Sequence, residues 1–388
     1  MLPVPKRSLH PDPLTEIPMK KTILVIVLSI CWGNFSGHGA EPNQDIWLHE
    51  SAAGLDIPMG PFVKLGPDRY LTVNEHDALI TRDDGESWQR YPLFEDNEKY
   101  AVRPERALIR TADGTIVLAF MNDAEREWTW DNELGDAPGA RLPTYTIRSL
   151  DGGETWRDLQ MLHGEWTGAI RNMIQTAAGD LVFTSMMMLH DPGRHATVTY
   201  RSEDDGASWH RSNLIDLGGA GHHDGAIEAT VEELGDGRLW MLIRTNWDRF
   251  WEAYSDDGGR YWRTIKPTEI DASSAPGLLV RLRSGRLALV WNRLLPEGSD
   301  DFPRVGGDRR WSEEPAINHR WEMSIAFSEN DGESWSEPVV FARAKESMRR
   351  RDISYPYLFE PRPGELWITS MRGGLRVRLD EKDFVEDR

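Results

Sequence analysis

The sequence predicts an all-β protein folded as a six-bladed β-propeller, and two regularities along the chain predict it. The first is a turn repeated five times. Thr81-Arg82-Asp83-Asp84-Gly85-Glu86-Ser87-Trp88 is followed by related segments opening at Ser149, Ser202, Ser255 and Ser328. Their shared pattern is Ser/Thr-x-Asp-x-Gly-x-Ser/Thr-Trp, with Tyr261 in the penultimate place of the fourth copy and Asn330 replacing Asp in the fifth. Side-chain oxygens of Asp and Ser/Thr accept backbone N–H groups in a tight turn, and Gly takes the positive-φ place. The Trp then folds back as an apolar plug. The second regularity is an apolar stretch, a Gly turn and another apolar stretch, at 107–120, 173–183, 229–243 and 278–290. Such segments are pairs of antiparallel strands joined by a hairpin. One further strand leads to each Trp-turn, so each unit has about four strands, and units of this kind form radial sheets. Residues 63–72 open a first unit, and 357–370 form a last one without a Trp-turn. Six units result, in a single domain over residues 41–388 with no sustained helix.

Composition narrows the function. Among 388 residues, 45 Lys and Arg face 64 Asp and Glu, a formal charge of −19. So acidic a surface repels phosphate backbones and anionic lipid, which argues against nucleic-acid and membrane-surface partners. Hydrophobic residues make up 39% of the chain, enough for a packed core. The single cysteine, Cys31, excludes a disulfide scaffold and a Cys-based zinc site.

The first forty residues read as an export signal. Met19-Lys20-Lys21 precedes an apolar run over 23–30, and small residues follow up to Gly39-Ala40. Two cations, a short apolar stretch and a small-residue cleavage point describe a secretory signal peptide over 19–40, too short for a permanent membrane span. Residues 1–18 then form an unstructured tail or a spurious extension. The expected location is secreted or periplasmic, with lipid attachment at Cys31 as the lesser option, because Ile30 is bulky where a small residue is wanted.

The five Trp-turns are the hallmark of the Asp-box repeat, and over the mature region the sequence resembles the sialidase (neuraminidase) superfamily of six-bladed propellers. Asp boxes specify fold and not activity. A sialidase must hold a sugar whose carboxylate sits on the carbon under attack, which calls for arginine forks. An anionic nucleophile would be repelled there; a tyrosine activated by a neighbouring base avoids the conflict. The resemblance implies these residues here, with each hairpin Gly or box Ser as the ruler. Glu228, nine before Gly237, matches the glutamate that activates tyrosine. Arg244, seven after that Gly, and Arg320, eight before Ser328, match two arginines of the carboxylate-binding triad. Tyr355, nine before Gly364, matches the nucleophile, and Asp136 in Gly-Asp-Ala-Pro-Gly matches the acid/base loop. The first triad arginine departs from the family pattern of Arg-Ile-Pro: Val102-Arg103-Pro104-Glu105-Arg106 offers Arg103 or Arg106, neither at the expected spacing from Gly114.

The resemblance therefore implies a retaining exo-glycosidase acting on sialic-acid-like termini, with no metal or organic cofactor and a carboxylated glycan as partner. Two alternatives stay open: an enzyme of this fold acting on another acidic sugar by hydrolysis or elimination, and a carbohydrate-binding propeller without catalysis. Other residues are expected to be structural. Arg171, at the opening of its blade, has two readings, pointing at the pore or, the one expected, forming a structural salt bridge; His222-His223-Asp224 is expected in a turn orienting Glu228, not in a metal site. Trp128, Trp130, Trp247, Phe250 and Trp251 are expected in inter-strand loops, stacking on sugar or packing between blades.

Overall fold

Each hairpin and Trp-turn identified in the sequence becomes part of an antiparallel sheet of four strands, or five in one blade, in the computed structural model, which describes residues 45–385. The expectations for the tail 1–18, the signal segment 19–40 and Cys31 lie outside the described residues. Blade I comprises Val63–Gly66, Arg69–Val73, Asp77–Thr81 and Gln89–Pro92. Blade II comprises Val102–Arg110, Ile116–Asn122, Thr144–Ser149 and Arg157–His163. Blade III is Ile170–Gln175, Leu181–Leu189, Arg194–Ser202 and His210–Arg211, and blade IV is Ile227–Glu233, Leu239–Arg244, Arg249–Ser255 and Arg263–Asp271. Blade V holds Leu278–Arg281, Leu287–Trp291, Glu322–Ser328 and Val339–Ala344; blade VI holds Ser354–Arg362, Glu365–Arg372 and Arg376–Asp380. Among the described residues the helical content is two 3₁₀ turns, and no helix is long and apolar enough to cross a membrane.

The last blade lacks a Trp-turn for a topological reason. Its fourth strand does not follow the third in sequence but comes from Ala52–Gly54, which pairs antiparallel with Arg376–Asp380. Just before it, Ile46–Leu48 adds a fifth strand to the outer edge of blade V. With no third-to-fourth hairpin in blade VI, there is nothing for a box to turn.

The boxes follow the expected chemistry. In blade I, Gly85 N–H donates to Thr81 Oγ1 at 2.9 Å and Ser87 N–H to Asp83 Oδ1 at 2.9 Å. Trp88, Trp156 and Trp209 each close back on their own turn, Nε1 donating to the box Gly carbonyl at 3.1 Å. Trp262 instead reaches across to Thr199 Oγ1 of blade III at 2.8 Å. The box glycines do more than turn. Gly153 has φ +93°, and a Cβ there would lie 2.0 Å from Leu71 Cδ1 of blade I; at Gly332 it would lie 2.5 Å from Trp240 of blade IV. Each box therefore presses its Gly against the preceding blade. Between blades lie the apolar cores, such as Leu71, Ile80, Leu118 and Phe120 between I and II, and Ile325, Phe341, Ile368 and Val377 between V and VI. Blades VI and I meet through Phe62, Tyr70, Phe359 and Trp367, with ring centroids 5.1–5.9 Å apart.

Strand direction sorts the connections. Trp-turns and Gly hairpins lie at one end of the ring; the links entering each inner strand, and those joining second to third strands, lie at the other. That second end carries the site.

Candidate active site

Three blades present a chemically distinctive residue near the start of the inner strand. Ile227 pairs with Arg244 and Ser354 with Arg372, each the last residue of its second strand, so Glu228 and Tyr355, nine residues before their hairpin glycines, are equivalent; in blade III Ile170 pairs with Ser185, four residues before the end of its strand, and Arg171 lies eight before Gly179. Arg103 follows Val102, which pairs with Asn122, and holds the same place in blade II. Glu228 and Tyr355 adopt left-handed backbone, φ 48° and 64°, a costly conformation for such residues that concentrates where geometry serves function.

Four of the expected residues meet. The Tyr355 phenol donates to Glu228 Oε1 at 2.9 Å. Arg244 donates through Nη1 to Glu228 Oε2 and through Nη2 to Ser274 Oγ, the latter at 2.8 Å. Arg320 lies with its guanidinium carbon 5.3 Å from the Tyr355 ring centroid, held by Asn318 Oδ1 and the Ser274 carbonyl, both at 2.8 Å. All four are buried, Arg244 at 1% exposure.

The electrostatics follow from that packing. Burial raises the Tyr355 phenol above its ordinary value and the Glu228 charge adds to this, against Arg320 and Arg244. The phenol therefore rests neutral. Burial also opposes ionisation of Glu228, but Arg244, Arg320 and Arg171 outweigh it and hold that carboxyl below its ordinary value. The result is a charged acceptor facing a protonated phenol.

Asp136 belongs to a separate cluster on the rim. Its carboxylate accepts the Ala137 N–H at 2.7 Å and pairs with His190 Nδ1 at 2.9 Å. A cavity of about 480 Å³ opens beside it, lined by Gly135, Trp130, Asp191 and Arg309. Aromatic contacts run inward from there: Trp130 to His222 at 5.5 Å, then His222 to His223 at 4.5 Å.

The two candidates for the first arginine separate. Arg103 pairs with Asp123 at 2.7 Å and Glu105 at 3.3 Å. Arg106 points elsewhere: its guanidinium donates to the carbonyls of Gly60 (2.9 Å), Val73 and Pro104 (3.2 Å), bracing blade I against blade II. The irregular spacing has a cause, because between Val102 and Arg106 the inner strand has two more residues than its partner. Pro104, which has no N–H to pair, sits in that bulge.

Other expectations are corrected. Among the described residues Arg171 forms no salt bridge; Nη2 donates to the Pro356 carbonyl at 2.9 Å and buried Nε and Nη1 have no hydrogen-bond partner, while its charge acts on Glu228 and Glu105. Phe250 is a core residue of a blade IV strand, 1% exposed, and Trp251 lies in the same strand, so neither is in a loop. Asp224 does not hold Glu228. It ties its own turn at Ala220 N–H (3.0 Å) to Glu313 N–H (2.9 Å), in the long loop between the second and third strands of blade V. That loop also docks by backbone, with His222 and His223 N–H donating to the Arg310 and Trp311 carbonyls at 3.0 Å. Among the described residues no group of three or more His, Cys, Asp or Glu side chains gathers as a metal site.

Sequence reasoning passed over Arg372 and His195. Arg372 lies 5.0 Å from the Tyr355 ring centroid and donates to Asp352 at 3.0 Å. Buried His195 feels Glu228, and burial takes its imidazole down to about 4. The missed signal for Arg372 is its register, eight residues after Gly364, close to the seven that separate Arg244 from Gly237.

A ring of antiparallel blades with Asp boxes at one end and convergent arginines around a Tyr–Glu pair at the other defines a BNR-type propeller. Residues 78–368 match the model of the BNR repeat-like domain family, and the chain belongs to that family. No curated protein matches the sequence. Solved structures share the fold. A protein of unknown function from Dyadobacter fermentans superposes with a TM-score of 0.58 at 14% identity, over 87% of this chain and 99% of that one. The Hadza microbial sialidase Hz136 gives 0.56 at 17% identity, over 84% of this chain and 65% of that one. A mutant of the NanB sialidase from Streptococcus pneumoniae gives 0.56 at 11% identity, over 89% and 71%. At these identities the likeness concerns the fold alone.

Proposed function

We propose that this protein is a secreted or periplasmic retaining exo-glycosidase that releases sialic-acid-like residues from glycans. The observation that carries the reading is the Tyr355–Glu228 hydrogen bond of 2.9 Å, beside Arg244 and Arg320. Arg244 and Arg320 bind the sugar carboxylate, with Arg103 at the edge of the site. Tyr355 Oη attacks the anomeric carbon as its proton passes to Glu228. The bond from that carbon to the aglycone oxygen breaks, and Asp136 protonates the departing oxygen. Asp136 then takes a proton from water, which attacks the glycosyl–tyrosine bond, and Tyr355 recovers its proton from Glu228. A nucleophile neutral before attack suits a substrate that is itself an anion.

The test is turnover of a fluorogenic sialoside between about pH 4 and 8, the range in which such carboxyls complete their titration. Release of the fluorophore by the wild type supports the reading, and no release overturns it for that substrate. The crowding of Arg103 by Glu105 and Asp123 favours a second reading, cleavage of a different carboxylated sugar such as a uronate. Ultraviolet absorbance from an unsaturated product would identify elimination in place of hydrolysis.

A further inference from the structure

The five Trp-turns act as controls for one another, and the fifth departs from the rest. Trp88, Trp156 and Trp209 each donate Nε1–H to their own box glycine, and Trp262 donates to Thr199 Oγ1 in the third strand of blade III. Trp335 Nε1 is buried and, among the described residues, has no hydrogen-bond partner. The cause lies in blade IV. Thr199 stands three residues before the box Ser202, and the residue three before Ser255 is Glu252. Its carboxylate is already engaged: Trp240 Nε1 donates to it at 2.8 Å and the Tyr254 hydroxyl at 3.0 Å, with Lys266 Nζ 3.2 Å away. The Trp335 N–H therefore lacks the acceptor that its counterpart Trp262 uses.

Two cavities flank this box, at the end of the ring away from Tyr355. One, of about 640 Å³, runs along blade IV past Trp240, Glu252, Tyr254 and Lys266; the other, of about 510 Å³, opens toward Phe384. Half-buried Trp335 lines both. A buried indole N–H ordinarily finds an acceptor, and concave sites with aromatic walls and a few polar groups suit small molecules. The charges select the kind. Acidic side chains outnumber basic ones five to two around the larger cavity, which disfavours an anion. A cation gains little, because Lys266 already meets Glu252 and Arg238 already covers the Tyr254 ring at 5.1 Å. A neutral pyranose meets both conditions. Its C–H face packs on an aromatic ring, its oxygens accept from an indole N–H, and its hydroxyls donate to carboxylates.

We propose that the fifth Trp-turn is a second carbohydrate site, where Trp335, with Tyr254 and Glu252 of blade IV, holds a neutral hexose unit of a glycan chain. The site lies at the opposite end of the ring from the Tyr355–Glu228 pair and stands independently of the acidic-sugar reading.

Isothermal titration of the full chain with lactose, cellotetraose and maltotetraose, none of which carries a carboxylate, tests this. At least one of the three is expected to bind. Trp335→Ala should weaken that binding about tenfold or more. Trp335→Phe keeps a ring and loses the N–H; it should fall between Ala and wild type, and it serves if the Ala variant does not fold. Tyr355→Phe, at the other end, should bind as the wild type does. Absence of binding by all three sugars overturns the proposal, as does binding that the Trp335 variants leave at the wild-type level. Binding lost in Tyr355→Phe also overturns it, by assigning the neutral sugar to the central site. Tighter binding of tetramethylammonium than of any of the sugars overturns it in favour of a cation site. Sialoside turnover is read separately: its absence overturns the glycosidase reading and leaves this one standing.

Discussion

Glu228 and Tyr355 occupy equivalent places in the inner strands of blades IV and VI, both in left-handed backbone, and their side chains join at 2.9 Å. Two repeats of one architecture thus supply the two halves of an acid–base pair. Replacing Tyr355 with Phe removes the proposed nucleophile and keeps the ring. Turnover of any glycoside the protein cleaves should fall at least about a thousandfold, while the chain stays folded with a thermal midpoint lowered only by loss of the phenol's hydrogen bond to Glu228. Steady-state kinetics beside calorimetry check this; an active Phe variant excludes Tyr355 as nucleophile.

Glu228 is the counter-ion of buried Arg244. Glu228→Ala should cost about 3–5 kcal/mol, since it leaves that charge unpaired. Because Arg244, Arg320 and Arg171 depress the carboxyl against burial, its stabilising charge is present above the unfolded value and is lost as pH falls through the lower folded one. The acid limb of turnover attributable to Glu228 should therefore lie below about 4.3, the ordinary value for Glu. A limb above that value assigns the titration elsewhere.

His195 gives a second pH dependence. Its imidazole is at about 4 when folded, lowered by burial. The unfolded chain binds a proton near the ordinary value of about 6.5, so acid favours unfolding throughout the interval between the two. Urea denaturation at pH 7, 5.5 and 4.5 should register a loss on the order of 3 kcal/mol from this group. His195→Gln should flatten that part of the profile. An equally steep variant removes His195 as its source.

Two glycines at positive φ should respond differently to Ala. Gly237 has φ +84° and open space around a Cβ, so Gly237→Ala should cost about 1–2 kcal/mol for backbone alone. Gly153→Ala adds a collision with Leu71 and should cost roughly 1–3 kcal/mol more. Denaturant midpoints decide; equal losses mean that the box does not seal the blade interface.

Asp136, paired with His190 on the rim, is proposed to protonate the leaving group. Asp136→Asn should slow substrates with basic leaving oxygens far more than aryl glycosides, whose aglycones depart without help. Uniform slowing would make it a positioning residue.

The repeat made the propeller readable, because five Trp-turns and their hairpins are local chemistry: Asp83 and Gly85 announce their turn within eight residues. Glu228, Arg244, Arg320 and Tyr355 were readable because their spacing follows strand register. Arg106 was not, since whether an arginine faces the centre or a neighbouring carbonyl depends on the bulge around Pro104, which only pairing with 116–122 reveals. Arg171 stood between the pore and a salt bridge, with the salt bridge preferred, for a related reason: a lone arginine at a strand start says nothing about its partners. The closing strands 46–48 and 52–54 escaped notice because three-residue edges carry no periodicity.

Those closing strands set an order of events during synthesis. Ile46–Leu48 and Ala52–Gly54 leave the ribosome before all six sheets, yet their partners, Val339–Ala344 and Arg376–Asp380, are among the last to emerge. Long-range pairing of this kind is slow to form. The nascent chain must carry both segments unpaired while five blades accumulate, and in doing so presents bare edges to neighbouring chains. Crowded translation should accordingly favour exchange of these segments between molecules, a liability written into the way the circle is latched.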